Sequence, residues 1–265
     1  MNLVDHLAII PGYALSGLLV GFLVGMTGVG GGSLMTPLLI MVFGFHPTTA
    51  VGTDLLFAAV TKTVGATIHS AGKTVEWRIV RRLAVGSVPA TILCLILIAH
   101  FGIASKSVTS MVSLTLGVAL LLSAIALLFR DIIITWINGR FPEAGLNSPA
   151  WLTVLVGAIL GVLVSLSSVG AGALGTVALV ILYPRLPVVR IVGSDIAHAV
   201  PLTLLAGLGH WYLGNINFPL LESLLVGSIP GIIAGSYLAR FANDRILKTC
   251  LGAILAVVGG RMLLK

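Results

Sequence analysis

Charge is what this chain has least of. Only 9% of its 265 residues are Asp, Glu, Lys or Arg, against about 25% in soluble domains. A water-facing surface cannot be assembled from so few charges. With 58% hydrophobic residues and a mean hydropathy of +1.14, the chain needs a lipid bilayer as its solvent. Other absences narrow the reading. The two cysteines, Cys94 and Cys250, lie inside apolar runs and build neither a disulfide framework nor a metal site. The six histidines show no metal-ligand spacing. No Lys or Arg precedes Lys62, so a cleavable leader is not expected. The alternating segments of an outer-membrane barrel are missing, and runs such as 150–164 are continuous and helical in length. No Gly-x-x-x-x-Gly-Lys motif is present, so no nucleotide or other cofactor is expected. The net charge of +7 is spread over short loops without a dense patch, which argues against a nucleic-acid partner and for a topological role.

The expected fold is therefore all-α and polytopic, with segments at 8–27, 29–45, 48–70, 80–100, 108–129, 149–167, 169–183, 191–212, 219–239 and 247–264. Segments 29–45 and 169–183 are short and follow glycine-rich breaks. If the 71–82 loop is cytoplasmic, eleven basic residues face the cytoplasm and three (Lys106, Arg261, Lys265) face outwards. That bias predicts a multi-pass protein of a bacterial inner membrane with both termini outside.

The chain also repeats itself. Thr27-Gly28-Val29-Gly30-Gly31-Gly32 aligns with Ser167-Ser168-Val169-Gly170-Ala171-Gly172 at an offset of 140. Val51-Gly52-Thr53-Asp54 aligns with Val192-Gly193-Ser194-Asp195, His69 with His210, and Gly86-Ser87-Val88-Pro89 with Gly227-Ser228-Ile229-Pro230, all at 141. Residues 1–130 form a first repeat, 131–148 a cytoplasmic linker, and 149–265 a second repeat. Five segments per half make the second repeat inverted. The basic loop after His69 and its uncharged-to-acidic counterpart after His210 agree. Inverted repeats with interrupted helices mark secondary transporters.

Two glycine breaks at related positions expose backbone N–H groups at helix starts, which favour an anion. The competing reading is close helix packing by small residues. The candidate ligands of a small anionic substrate are Gly30, Gly31, Gly32, Ser33, Gly170, Ala171 and Gly172, with Thr53, Ser194 and the lone membrane cation Lys62 assisting. Asp54, His69, Asp195, His198 and His210 are candidates for gating or proton coupling. Alternatively, the two aspartates hydrogen-bond exposed helix ends. His69 and His210 end their segments, where a membrane boundary is expected. Two other readings stay open: an intramembrane aspartyl protease with Asp54 and Asp195 as a dyad, and a passive anion channel. A dyad requires its carboxylates in contact.

At these residues the chain resembles the sulfite exporter TauE/SafE family. The resemblance runs through Gly25-Met26-Thr27-Gly28-Val29-Gly30-Gly31-Gly32, Pro37-Leu38-Leu39, Ala50-Val51-Gly52-Thr53, His69, Glu76-Trp77-Arg78 and Gly86-Ser87-Val88-Pro89, with the echo in the second half ending at Gly227-Ser228-Ile229-Pro230-Gly231. It implies movement of small anions, often sulfur-containing, such as sulfite and sulfonates, and no enzymatic activity. The second half departs in having Ala171 within its glycine run and Val177 where Pro37 has its counterpart.

Overall fold

The structure, a computed structural model, describes residues 9–27, 32–71, 73–102, 105–130, 132–133, 135, 150–238 and 244–264. Among them are ten helices: α1 (Pro11–Thr27), α2 (Gly32–Met41), α3 (Pro47–Ala71), α4 (Trp77–Phe101), α5 (Lys106–Leu128), α6 (Ala150–Ser167), α7 (Ala173–Leu182), α8 (Val188–Tyr212), α9 (Phe218–Leu238) and α10 (Asp244–Leu263). No strand occurs among the described residues. The linker read at 131–148 lies almost wholly outside them.

Five helices, α4, α5, α6, α8 and α9, are long and apolar enough to cross a membrane. Their outer faces carry large apolar side chains left exposed, among them Leu93 and Ile96, Leu114 and Leu122, Ile159, and Ile229 and Ile233. Exposed apolar surface on this scale suits lipid and not water. The segments expected to be short, 29–45 and 169–183, are shorter still as helices. α2 and α7 hold 10 residues each. At 1.5 Å per residue such a helix covers about 15 Å, roughly half of a ~30 Å hydrocarbon core. The second start moves from 169 to 173 for a local reason. Ser168, Gly170 and Gly172 have φ of 58°, 128° and 133°, and left-handed backbone cannot belong to a right-handed helix.

Two pairs of helices pack backbone to backbone, α1 along α9 and α6 along α4. Glycines permit the approach, as in membrane helix pairs generally. Gly17 faces the backbone of Leu224, and Gly157 faces that of Leu83. Gly21 lies on Ser228 and Gly161 on Ser87, while Gly227 lies on Ala14 and Gly86 on Val154. Each second contact is the first displaced by 140 or 141 residues. The other two close pairs, α3 with α8 and α5 with α10, join helices that the same offset relates to each other.

Polar staples fix the loops. Thr53 Oγ1 accepts from the Asn217 N–H at 3.1 Å, and Ser194 Oγ accepts from the Glu76 N–H at 2.8 Å. Arg190 pairs with Glu76 at 2.7 Å, which holds the α3–α4 loop against the start of α8. Arg82 donates to Tyr183 Oη at 3.2 Å, bringing the α7–α8 turn to the same end. Two of the loops assigned to the cytoplasm by their charge, α3–α4 and α7–α8, thus meet at one end of the molecule.

Candidate functional site

The short helices carry the first layer of the site. Each is too short to bury its polar groups alone, and each meets a buried aspartate from the following long helix. Thr36 of α2 donates its hydroxyl to Asp54 Oδ2 at 2.5 Å, and its backbone N–H serves the same carboxylate. Thr176 of α7 donates to Asp195 Oδ2 at 3.1 Å, joined by the Gly172 N–H. Asp54 and Asp195 are 0% and 1% exposed. The reading that the aspartates serve helix starts is what the geometry displays. It leaves something over, because Oδ1 of each carboxylate has no hydrogen-bond partner among the described residues. Asp195 Oδ1 is turned towards the Cα of Gly175, where any side chain would collide with it. Ser168, whose hydroxyl is also unpartnered, sits beside Asp54.

Lys62 supplies the second layer. It lies two turns along α3 from Asp54, buried, and its Nζ donates to the carbonyl of Ala171 at 2.7 Å. Its positive charge faces both Asp195 and Asp54. One cation from the first half of the chain is thus lodged on the glycine break of the second half. The arrangement is not duplicated. The residue displaced by 141 is Thr203, whose hydroxyl returns to Ala199 O of its own helix at 2.8 Å. A charge at membrane depth is expensive unless partnered, and these partners explain how Lys62 is tolerated.

His198 borders this cluster. Its Nε2 shares a 2.8 Å hydrogen bond with Ser87 Oγ of α4, and its Nδ1 has no partner. His210 stands apart near the end of α8, where it is 0% exposed. Its Nε2 lies 2.9 Å from Ser165 O and its Nδ1 3.3 Å from Asn215 Nδ2. The chain turns back after Gly214, which has φ of 78°, and this return seals the end of α8.

The remaining predicted residues divide in two. Thr53 and Ser194 are buried, but their hydroxyls are engaged by the loop amides of Asn217 and Glu76. Ser33 is buried near the start of α2. Gly170, Ala171 and Gly172 form the turn before α7, with the Gly175 N–H bonded to Gly170 O at 3.0 Å. Gly30, Gly31 and the side chain of His69 lie outside the described residues, and Gly32 is described only as the first residue of α2. Three polar residues absent from the predicted set, Thr36, Thr176 and Ser87, hold the aspartates and His198. Thr36 and Thr176 are separated by 140 residues and so were detectable as a repeated polar pair. A cleft of about 410 Å³ between α2, α5 and α10, with Ser110, Ser113 and Arg261 in its wall, contains none of the predicted residues.

The carboxylates of Asp54 and Asp195 do not bond each other; each is held by its own short helix, with Lys62 facing both. A protease dyad needs one shared proton between touching carboxylates, and this geometry lacks the contact.

Comparison with known proteins matches residues 13–262 to the family described as sulfite exporter TauE/SafE. A probable membrane transporter protein of Bacillus subtilis, YjnA, is 37% identical over 94% of this chain and 98% of its own length. A second B. subtilis probable membrane transporter protein, YdhB, is 28% identical over 91% of this chain and 95% of its length. The probable membrane transporter protein MJ0441 of Methanocaldococcus jannaschii is 26% identical over 98% and 97%. No solved structure is significantly similar to the chain.

Proposed function

The chain belongs to the sulfite exporter TauE/SafE family, membrane transporters and not enzymes, and on that premise we propose that it exports small sulfur anions, such as sulfite or sulfonates, by alternating access. The observation that carries the substrate class is Lys62, a buried ammonium whose nearest ligand is a backbone carbonyl of the glycine break. A carbonyl is a weak partner that an incoming oxyanion replaces with a charge-assisted bond. The turn at Gly170, Ala171 and Gly172 and the starts of α2 and α7 add backbone donors. Gly30, Gly31, Gly32 and Ser33 would contribute from the first break. Thr53 and Ser194 would act indirectly, by holding the loops that frame α3 and α8. Asp54, Asp195, His198, His69 and His210 would gate or couple the movement.

Two inverted repeats, 1–130 and 149–265, joined by a 131–148 linker, would supply the two conformations. Supporting this are the glycine contacts that recur at offsets of 140 and 141, and the paired Thr36–Asp54 and Thr176–Asp195 bonds. The deciding experiment is flux in proteoliposomes with sulfite, thiosulfate, sulfonates, sulfate and acetate under an imposed proton gradient. Saturable flux of a sulfur anion is expected. Equal, non-saturating flux of every anion would replace the carrier with a channel, and flux of acetate alone would remove sulfur from the reading.

We place the protein in a bacterial inner membrane with both termini outside and the 71–82 loop in the cytoplasm. A cysteine introduced at Arg78 should resist a membrane-impermeant maleimide in intact cells and react once the cells are broken. Labelling in intact cells would reverse the orientation.

A further inference from the structure

We infer that each anion bound at Lys62 is accompanied by one proton taken up by Asp195, so that the transporter moves its anion together with a proton. The inference rests on the anion reading above and adds the coupling ion.

Charge counting leads to it. Asp54, Asp195 and Lys62 form one buried group with two carboxylates and one ammonium, a net charge of −1 when all are ionised. Among the described residues, the neighbours hydrogen-bonded to it add no charge. α2 contributes Thr36, α7 contributes Thr176, and the break contributes the Ser168 hydroxyl and the Ala171 carbonyl. His198, on α8, is held by Ser87 of α4 and lies near Lys62. The other ionisable residues on helices packed against α3 and α8 stand elsewhere. Arg78, Arg81, Arg82 and His100 lie towards the ends of α4, and Lys106 and Glu222 near the starts of α5 and α9. Cys94 lies in the apolar core, and Tyr183 and Tyr237 lie near the ends of α7 and α9.

An anion of one negative charge would raise the local charge to −2 in a dry interior, where repulsion is barely screened. A proton restores the original balance. Asp195 is the acceptor because the Ala171 carbonyl that holds the Lys62 ammonium adjoins the Gly172 N–H that serves Asp195, so it loses most when the ammonium turns to the anion. Asp195 Oδ1 has no donor among the described residues and can hold a proton.

The probe is isethionate, a sulfonate whose charge does not change from mildly acidic to mildly alkaline pH. Its binding to the purified full-length protein is followed by calorimetry, and proton uptake by a pH indicator in weakly buffered micelles. Affinity should rise about tenfold for each unit by which pH falls, the slope of one linked proton. About one proton should be taken up per anion. Asp195→Asn should bind isethionate with no pH slope and no proton uptake. Wild-type binding without proton uptake overturns the coupling. Retention of proton uptake in Asp195→Asn overturns the choice of Asp195. If Asp195→Asn does not fold, the wild-type proton count still decides the coupling. No isethionate binding at any pH would instead remove the sulfonate reading on which the coupling stands.

Discussion

Lys62→Ala is expected to leave the protein folded and to weaken sulfur-anion binding roughly 10- to 100-fold, corresponding to the ~1.5–3 kcal/mol of a hydrogen bond to a charged group. Transport should fall to the level of empty vesicles. Lys62 is the cation facing the two buried carboxylates and the second break, and no counterpart stands at Thr203 to replace it. Folding should survive because the aspartates keep their own partners: Thr36 for Asp54, and Thr176 with the Gly172 N–H for Asp195. The unpaired charge left behind is removed by protonation and not by unfolding. Lys62→Met separates charge from volume, since it fills the same space without the ammonium, and it should behave like Ala in transport. Ligand-induced thermal stabilisation reads binding, and elution as a single peak in detergent reads the fold. If either variant binds and transports like wild type, Lys62 is a structural strut. The anion would then sit elsewhere, and the coupling through Asp195 would fall with it.

The lengths of the apolar runs and their glycine punctuation placed all ten described helices within a few residues of their observed bounds. What they could not show was how the short segments end. The 169–183 run is apolar throughout, and nothing in hydropathy marks Ser168, Gly170 and Gly172 as left-handed. The composition of the site was legible where charge is expensive: Asp54, Lys62 and Asp195 stand out because lipid penalises them. Their partners were harder to find, because a threonine in an apolar helix is common. Thr36 and Thr176 were visible only through the repeat. Thr53 and Ser194 show a partner of another kind. Their place beside the aspartates suggested ligands, yet what engages them are amides at Asn217 and Glu76, also 141 residues apart. Long-range return of a loop is a property of the packed chain, and local pattern does not contain it. The burial of His210 has the same origin: the end of α8 is covered by the turn through Asn215.

The repeat itself can be broken at matched points. Gly86→Leu and Gly227→Leu are each expected to abolish folded protein, and to the same degree. A side chain at Gly86 would run into the backbone of Val154, and one at Gly227 into the backbone of Ala14. Backbone cannot swing aside as a side-chain tip does, so the helices themselves must separate. Overpacking of a fitted core costs about 1–3 kcal/mol even where side chains can adjust, and here the close approach of two whole helices is lost. Gly260→Leu is the matched control, because nothing lies within 4 Å of the position a Cβ would take; it should express and elute as wild type. The measurement is the yield of monodisperse protein in detergent and its midpoint of thermal unfolding. The comparison also tests the repeat. Gly86 lies on α4 facing α6, and Gly227 on α9 facing α1; if these are one contact used twice, both variants must fail together. Tolerance of Leu at one of them would mean that the two seams carry unequal load. The repeat would then be a resemblance of sequence without an equivalence of structure, and the rocking of one half against the other would lose its physical basis.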